Sequence, residues 1–130
     1  MAHSSKRSLR VLVVEDEPLI RWSIGETLAT AGHTVVEASD ATSAVRALHG
    51  GTEPIDVVLL DYRLPDSNDF GLLARIRRLL PRSIVLVMTA FGTPEITRGA
   101  LELGAYGVMD KPFDMQALEP MLLRAHASVH

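Results

Sequence analysis

Polar side chains that could take part in chemistry stand at the ends of apolar runs in this chain. Glu15 and Asp16 follow VLVV, Asp61 follows VVLL, Thr89 ends IVLVMT, and Lys111 comes just after GVMD. Three carboxylates in one crevice repel each other unless a cation lies among them, and an all-oxygen set suits a hard divalent ion such as Mg²⁺. The lysine and the hydroxyl would then hold an anion beside the metal. This combination favours the handling of a phosphoryl group.

Each of these residues also has an ordinary interpretation. Asp61 alone could be a solvated acid or a helix cap, because helices often begin with aspartate. Thr89 alone could be a cap, and Lys111 alone could be a surface charge. A joint role is favoured only if the runs that end in these residues are strands of one sheet.

The apolar runs have the length and the β-branched composition of strands. They are RVLVVE (10–15), HTVVEA (33–38), IDVVLLD (55–61), SIVLVMT (83–89) and, more weakly, AYGVMD (105–110). Segments with helical spacing of apolar residues, such as Ile20, Ile24 and Leu28, separate and follow them. Five strands and five helices in alternation predict an α/β fold with a parallel sheet covered on both faces. Ligands bind at the carboxyl ends of the strands in such sheets, where all the polar signals fall.

Proline, glycine and aspartate predict the ends of several helices. Pro18 suits the first turn of helix one and Gly32 its end, while Asp40 suits the N-cap of helix two and Gly50–Gly51 its end. Pro120 falls inside the fifth helical pattern and predicts a kink or a late restart of that helix. The five histidines show no metal-ligand spacing and are interpreted as surface or turn residues: His3, His33, His49, His126 and His130.

The composition limits the classes of function. The 130 residues, 47% of them hydrophobic and 22% charged, suit one domain, predicted over residues 8–127 after a disordered segment over 1–7. The apolar runs are too short to span a membrane, and the chain lacks cysteine, which excludes disulfides and thiolate metal sites. A net charge of −3 without a basic block argues against direct nucleic-acid binding, and the expected location is the cytoplasm.

Four segments carry a family resemblance that covers the chain from about Leu9 to Arg124. VLVVEDEP, VVLLDYRLPD, VLVMTA and GAYGVMDKPF resemble the signatures of the receiver domain of two-component response regulators. Within that family the chain is most similar to NtrC-like receivers, which precede AAA+ transcriptional activators. The resemblance implies a flavodoxin-like (CheY-like), doubly wound, five-stranded parallel sheet of order 2-1-3-4-5 with five helices.

The resemblance also implies how the acidic residues act. Asp61 would be the nucleophile that takes a phosphoryl group from a sensor histidine kinase, a phosphotransfer protein or a small phosphodonor. Asp16, Asp61 and the backbone carbonyl of Arg63 would hold Mg²⁺, and Glu15 would orient metal-bound water. A carboxylate is a weak nucleophile, so placement and charge neutralisation must supply the catalysis.

Signalling in the family runs from the phosphoryl group to a distant face. Lys111 would pair with the phosphoryl oxygens, and Thr89 would report occupancy to the face formed by helix four, strand five and helix five, through which a homodimer or an effector could associate. The aromatic switch residue of the family lies three positions before the lysine, where this chain has Val108. Either Tyr106 substitutes for it, or activation runs through the loop after Thr89.

Further departures from the family concern individual side chains. Arg63 and Phe91 would flank the phosphoryl group. A bulky Phe91 that excludes water and an Arg63 that steadies the phosphoryl oxygens predict slow autodephosphorylation. Asp69 is interpreted as the N-cap of helix three rather than a second metal ligand. Trp22 lies off the apolar stripe of helix one, either partly covered by neighbouring side chains or exposed as an anchor for the kinase.

Other classes of protein explain the residues less well. A phosphatase with an aspartyl nucleophile would have a second acid two residues after Asp61, where this chain has Arg63. A flavin-binding module would have a phosphate loop after strand one, where the charges of EDEP would repel phosphate. A pseudo-receiver that binds partners without phosphorylation is supported by Val108 alone. The favoured hypothesis is a phosphorylatable module that acts through partners and is not a dedicated enzyme.

Overall fold

The computed structural model describes residues 8–51, 53–67 and 70–130, in which strands and helices alternate along the chain. The strands are β1 Arg10–Val14, β2 Thr34–Ala38, β3 Val57–Asp61, β4 Ile84–Thr89 and β5 Gly107–Asp110. The helices are α1 Pro18–Thr30, α2 Ala41–Gly50, α3 Gly71–Leu79, α4 Pro94–Glu102 and α5 Met115–Val129. The alternation of elements is therefore as predicted.

The strands form one parallel sheet with the order β2-β1-β3-β4-β5, which confirms the predicted topology. β3 lies at the centre, paired with β1 on one side and β4 on the other. Every residue of β3 and β4 is buried, because helices cover both faces of the sheet. The carboxyl ends of all five strands consequently meet at one edge.

Two apolar layers hold the sheet between its helices. In β1, Val11 and Val13 face the layer that contains the buried residues of α1 and α5. Leu12 and Val14 face the opposite layer, with the buried residues of α2, α3 and α4. This alternation follows from the two-residue period of a strand. The register of the strands is thereby fixed, since a slip of one residue would exchange the two faces.

The predicted helix ends are largely confirmed. Pro18 is the first residue of α1, and Gly32, just beyond its end, has a φ of +99°. The Asp40 carboxylate accepts a hydrogen bond of 2.7 Å from the Ser43 amide and caps α2, which ends at Gly50. The prediction for Asp69 and the disorder predicted for residues 1–7 lie outside the described residues.

The predicted late restart of the fifth helix is wrong. α5 runs without interruption from Met115 to Val129 and contains Pro120. Proline removes one hydrogen bond within the helix, but Leu118 and Leu122 on either side of it are fully buried against the sheet. Tertiary packing of the apolar face outweighs the loss of that bond.

The interpretation of the histidines as surface or turn residues is wrong for His126, which is buried in α5. His33 directly follows the turn after α1, but it is buried rather than at the surface. The Leu9 amide donates to Nδ1 of His33 at 2.9 Å, and Nε2 of the same ring lies 3.0 Å from Oε2 of Glu119. Because Nδ1 accepts, the proton of the neutral ring is on Nε2, which donates to the carboxylate. His126 Nε2 lies 3.7 Å from Oδ1 of Asp56.

Candidate functional site

The sheet edge brings together the three acids predicted from the sequence. Glu15, Asp16 and Asp61 each offer a carboxylate oxygen, and these atoms lie within 4.8 Å of one another. Glu15 is fully buried and Asp61 nearly so, whereas Asp16 is exposed. The cluster therefore opens to solvent on the side of Asp16.

Lys111 links two of these acids. Its Nζ lies 2.6 Å from Oε1 of Glu15 and 3.0 Å from Oδ2 of Asp61. Three carboxylates and one ammonium give the cluster a formal charge of −2. The all-oxygen donor set and this remaining charge fit a hard divalent cation, so the acidic cluster could hold a metal ion.

Burial and hydrogen bonding perturb the ionisation of this group of residues. Burial raises the pKa of Glu15, and the repulsion from Asp61 adds to that effect, although hydrogen bonds from Lys111 and the Glu17 amide oppose it. Burial acts to lower the pKa of Lys111, but its hydrogen bonds to Glu15 and Asp61 outweigh burial and raise that pKa. The lysine is therefore a permanent cation at physiological pH.

Backbone contacts after β1 fix the position of Glu15. Its amide donates to the carbonyl of Ala38 at 3.0 Å, and its Oε2 accepts from the Glu17 amide at 3.0 Å. Arg21, one turn into α1, donates to the Glu15 carbonyl at 2.7 Å and lies 3.3 Å from Glu37. The sequence analysis gave no role to Arg21, and its one local signal is that it lies four residues, about one helical turn, after Glu17.

The end of β3 fixes Asp61 in a similar way. The Tyr62 amide donates to the carbonyl of Met88 in β4 at 2.8 Å, which continues the strand pairing past the acid. The Arg63 amide donates to Oδ1 of Asp61 at 3.2 Å, while Oδ2 faces Lys111. Both oxygens of Asp61 thus have a positive or polar neighbour.

Thr89 ends β4 beside the acidic cluster and is buried. The Lys111 amide donates to its carbonyl at 2.8 Å, and its Oγ1 accepts from the Phe91 amide at 3.1 Å. Phe91 is 68% exposed, and the guanidinium carbon of Arg63 lies 5.8 Å from the centre of its ring. This distance is within the range of a cation–π contact, which joins the loop after β3 to the loop after β4.

The two candidates for the aromatic switch occupy different places. Val108 pairs with Val87 and packs against the layer of α2, α3 and α4. Tyr106 precedes β5, its amide donates to the carbonyl of Val85, and its hydroxyl accepts from Ser128 of α5 at 3.3 Å. Val85 lies four residues before Thr89, which is about 13 Å along an extended strand. This separation argues against a direct contact between Tyr106 and Thr89.

The first turns of α1 present an apolar pair to solvent. Trp22 is 58% exposed, and Leu19, one turn earlier, is 71% exposed. The helix begins at Pro18, two residues after Asp16, so this pair lies near the acidic edge. Exposed tryptophan is enriched at protein interfaces. Within the part of the chain that the structure describes, no helix has both the length and the apolar character needed to cross a bilayer.

A doubly wound sheet of this order, with an acidic cluster and a lysine at its carboxyl edge, defines the class of CheY-like signalling domains. The chain belongs to the response regulator receiver domain family, whose family model matches residues 11–123. This membership confirms the predicted family, its fold and its function as a receiver of two-component systems, in which an aspartate is phosphorylated.

Two relatives extend the comparison. The transcriptional regulatory protein TcrA of Mycobacterium tuberculosis (strain ATCC 25618 / H37Rv) is 38% identical over 110 residues, which are 85% of this chain and 43% of TcrA. The DNA-binding transcriptional regulator NtrC of Rhizobium meliloti (strain 1021) is 38% identical over 117 residues, 90% of this chain and 24% of NtrC. The chain therefore spans less than half of each relative, and its similarity to NtrC agrees with the predicted subfamily.

A solved structure agrees with the same assignment. The receiver domain protein from Clostridium thermocellum matches with a TM-score of 0.83 and 28% sequence identity, over 92% of this chain and 95% of that one. The likeness therefore concerns nearly the whole of both chains.

Proposed function

We propose that Asp61 accepts a phosphoryl group from a sensor histidine kinase or a phosphotransfer protein, and that Asp61 is the phosphorylated residue of this receiver. The observation that carries the proposal is the position of its carboxylate, 3.0 Å from the ammonium of Lys111 and in one cluster with the carboxylates of Glu15 and Asp16. In the transfer, an oxygen of Asp61 attacks phosphorus and the bond from phosphorus to the donor's histidine nitrogen breaks. The electron pair of that bond leaves with the imidazole.

The acidic cluster would hold Mg²⁺ through Asp16, Asp61 and the backbone carbonyl of Arg63, with Glu15 orienting a bound water. When bound, this ion supplies positive charge that neutralises phosphoryl oxygens. Asp61 becomes an acyl phosphate, and the negative charge it carried is then on the phosphoryl oxygens. Lys111, already 3.0 Å from Asp61, can follow that charge with a small movement.

Thr89, at the end of β4, would bind the phosphoryl group together with Lys111, which follows β5. Its Oγ1 accepts from the Phe91 amide, so its own proton is available for donation to a phosphoryl oxygen. A movement of Thr89 would carry the Phe91 amide and the loop after β4 with it. Because Tyr106 is hydrogen-bonded to Val85, four residues before Thr89, this loop is favoured over a rotamer change of Tyr106 as the route to the α4, β5 and α5 face.

The pair of Arg63 and Phe91 would set the lifetime of the phosphoryl group. The cation–π contact between them spans the gap between the two loops that border Asp61. A water that attacks phosphorus opposite the Asp61 oxygen has to pass these side chains. We therefore infer slow autodephosphorylation.

The partners follow from the same surfaces. Trp22 and Leu19 would contact the kinase or the phosphotransfer protein close to the acidic edge, and the α4, β5 and α5 face would bind an effector or a second copy. We place these contacts in the cytoplasm, and we assign the chain no catalysis beyond its own phosphorylation and dephosphorylation. The pseudo-receiver alternative is less favoured because Asp61, Lys111 and Thr89 are all present at the sheet edge.

Intact mass spectrometry tests the proposal. Incubation with acetyl phosphate and Mg²⁺ should add one phosphoryl group to the wild type and none to Asp61→Asn. Asp40→Asn is a matched control, because asparagine retains a good N-cap for α2 at a site remote from the acids. An unmodified wild type, or modification that persists in Asp61→Asn, would contradict the proposal.

A further inference from the structure

The loop after β3 is attached to the start of α2 by Asp66, to which the sequence reasoning gave no role. Oδ1 of Asp66 accepts from the Ala41 amide at 2.8 Å. Oδ2 accepts from the Thr42 amide at 3.1 Å and from the Thr42 hydroxyl at 2.9 Å. The Asp40 carboxylate accepts a hydrogen bond from the Ser43 amide. Two carboxylates from separate segments thus share the first three amides of α2.

These hydrogen bonds are charge-assisted. The pKa of Asp66 is lowered, chiefly by the hydrogen bond from the Ala41 amide, with further contributions from Thr42. The carboxylate is therefore ionised at neutral pH, and it faces the positive end of the helix dipole. Each of the three contacts is stronger for this reason than a contact between neutral groups.

Asp66 is part of a tight turn that is fixed on both sides. The Leu64 amide donates to the Ser67 carbonyl at 2.7 Å, and the Ser67 amide donates back at 3.2 Å. The Leu64 side chain is buried in the layer of α2, α3 and α4. At the other end of the loop, the Tyr62 amide is bonded to β4. Arg63, whose amide donates to Asp61, lies between these fixed points.

We propose that Asp66 is a positioning residue for the phosphorylation site. It uses α2 as a fixed support to hold the backbone of Arg63 against Asp61, and it thereby sets the affinity of the acidic edge for Mg²⁺. This inference rests on the proposed function, in which the Arg63 carbonyl is a metal ligand. A residue that only stabilised α2 would leave that affinity unchanged.

Asp66→Ala and Asp40→Ala form a matched pair that separates these two roles. Both remove a carboxylate from the same end of α2, but only Asp66 is connected to the loop after β3. Loss of groups that orient metal ligands weakens metal binding by about 10- to 100-fold. Calorimetric titration should therefore show Mg²⁺ binding at least about tenfold weaker in Asp66→Ala, and unchanged in Asp40→Ala. Asp66→Asn, which retains one acceptor oxygen, should fall between wild type and Asp66→Ala.

Hydrogen exchange gives a second measurement that needs no metal. The Arg63 amide should exchange faster in Asp66→Ala than in wild type, and at the wild-type rate in Asp40→Ala. Equal effects of the two alanine variants on both measurements, or no effect of either, would overturn the inference. If wild type binds no Mg²⁺, the proposed metal site fails. Arg63 exchange that is then identical in Asp66→Ala and wild type would overturn the positioning role as well.

Discussion

Magnesium should stabilise this protein against urea through one site at the acidic edge. The carboxylates of Glu15, Asp16 and Asp61 outnumber the ammonium of Lys111 by two charges, so one divalent ion balances the cluster. An ion that binds only the folded state stabilises it by RT ln(1 + [Mg²⁺]/Kd). Above Kd, the free energy of unfolding should rise by about 1.4 kcal/mol for each tenfold increase in concentration, and by about 2.7 kcal/mol in total at a hundred times Kd.

Urea unfolding followed by circular dichroism, at constant ionic strength, measures this slope. Asp16→Asn removes the exposed member of the cluster and keeps its shape, so the slope should disappear over the same concentrations. Its stability in EDTA should equal or exceed that of wild type, because repulsion between the acids is reduced. Asp110→Asn is a matched control, since Asp110 is also exposed and ends β5 at the same edge.

Two results would refute this reasoning. A slope that survives in Asp16→Asn would mean that the ion binds elsewhere or that the effect is general screening by salt. A limiting slope near twice the expected value would mean that a second ion binds, which the charge of one acidic cluster does not explain.

Three further changes have expected results of their own. Phe91→Ala should shorten the half-life of the phosphorylated protein, because water gains access beside Arg63; an unchanged half-life in a dephosphorylation assay would contradict the shielding role. Trp22→Ala should slow phosphotransfer from the cognate kinase but not phosphorylation by acetyl phosphate, and equal slowing of both would point to damage at the acidic edge instead. His33→Leu should lower the free energy of unfolding by about 1–3 kcal/mol, because the buried Leu9 amide loses its acceptor. Urea unfolding measures that loss, and wild-type stability would contradict the importance of this contact.

The sequence predicted the sheet because β-branched runs and helical spacing are local signals. The runs that become β3 and β4 are apolar throughout, as strands buried on both faces must be. The site then followed from topology, since parallel strands bring their carboxyl ends to one edge. Topology placed Lys111 near Glu15 although 96 residues separate them.

Contacts between distant polar side chains were beyond prediction from one sequence. The sequence predicts a surface or turn residue at His33, because its partners Leu9 and Glu119 lie 24 and 86 residues away. No local pattern indicates the role of Asp66 for a similar reason, since the helix it caps begins 25 residues earlier. The low helix propensity of proline also gave a wrong prediction of a late restart at Pro120, because burial of the α5 face decides whether the helix continues there. Local patterns predict elements, and pairing between elements depends on packing that those patterns do not encode.

The central place of β3 has a mechanical consequence for signalling. Its amides and carbonyls pair with β1 and β4, and both of its faces are buried, so opening this strand would disrupt both apolar layers. The amides of β3 should therefore exchange with solvent only when the whole protein unfolds. If Asp61 is phosphorylated as proposed, its backbone is held too firmly to move, and we expect the displacement to be taken up by residues 62–67 and 90–93. The proposed phosphorylation site is then rigid, and we expect the motion that a partner would sense to begin in the two loops beside it.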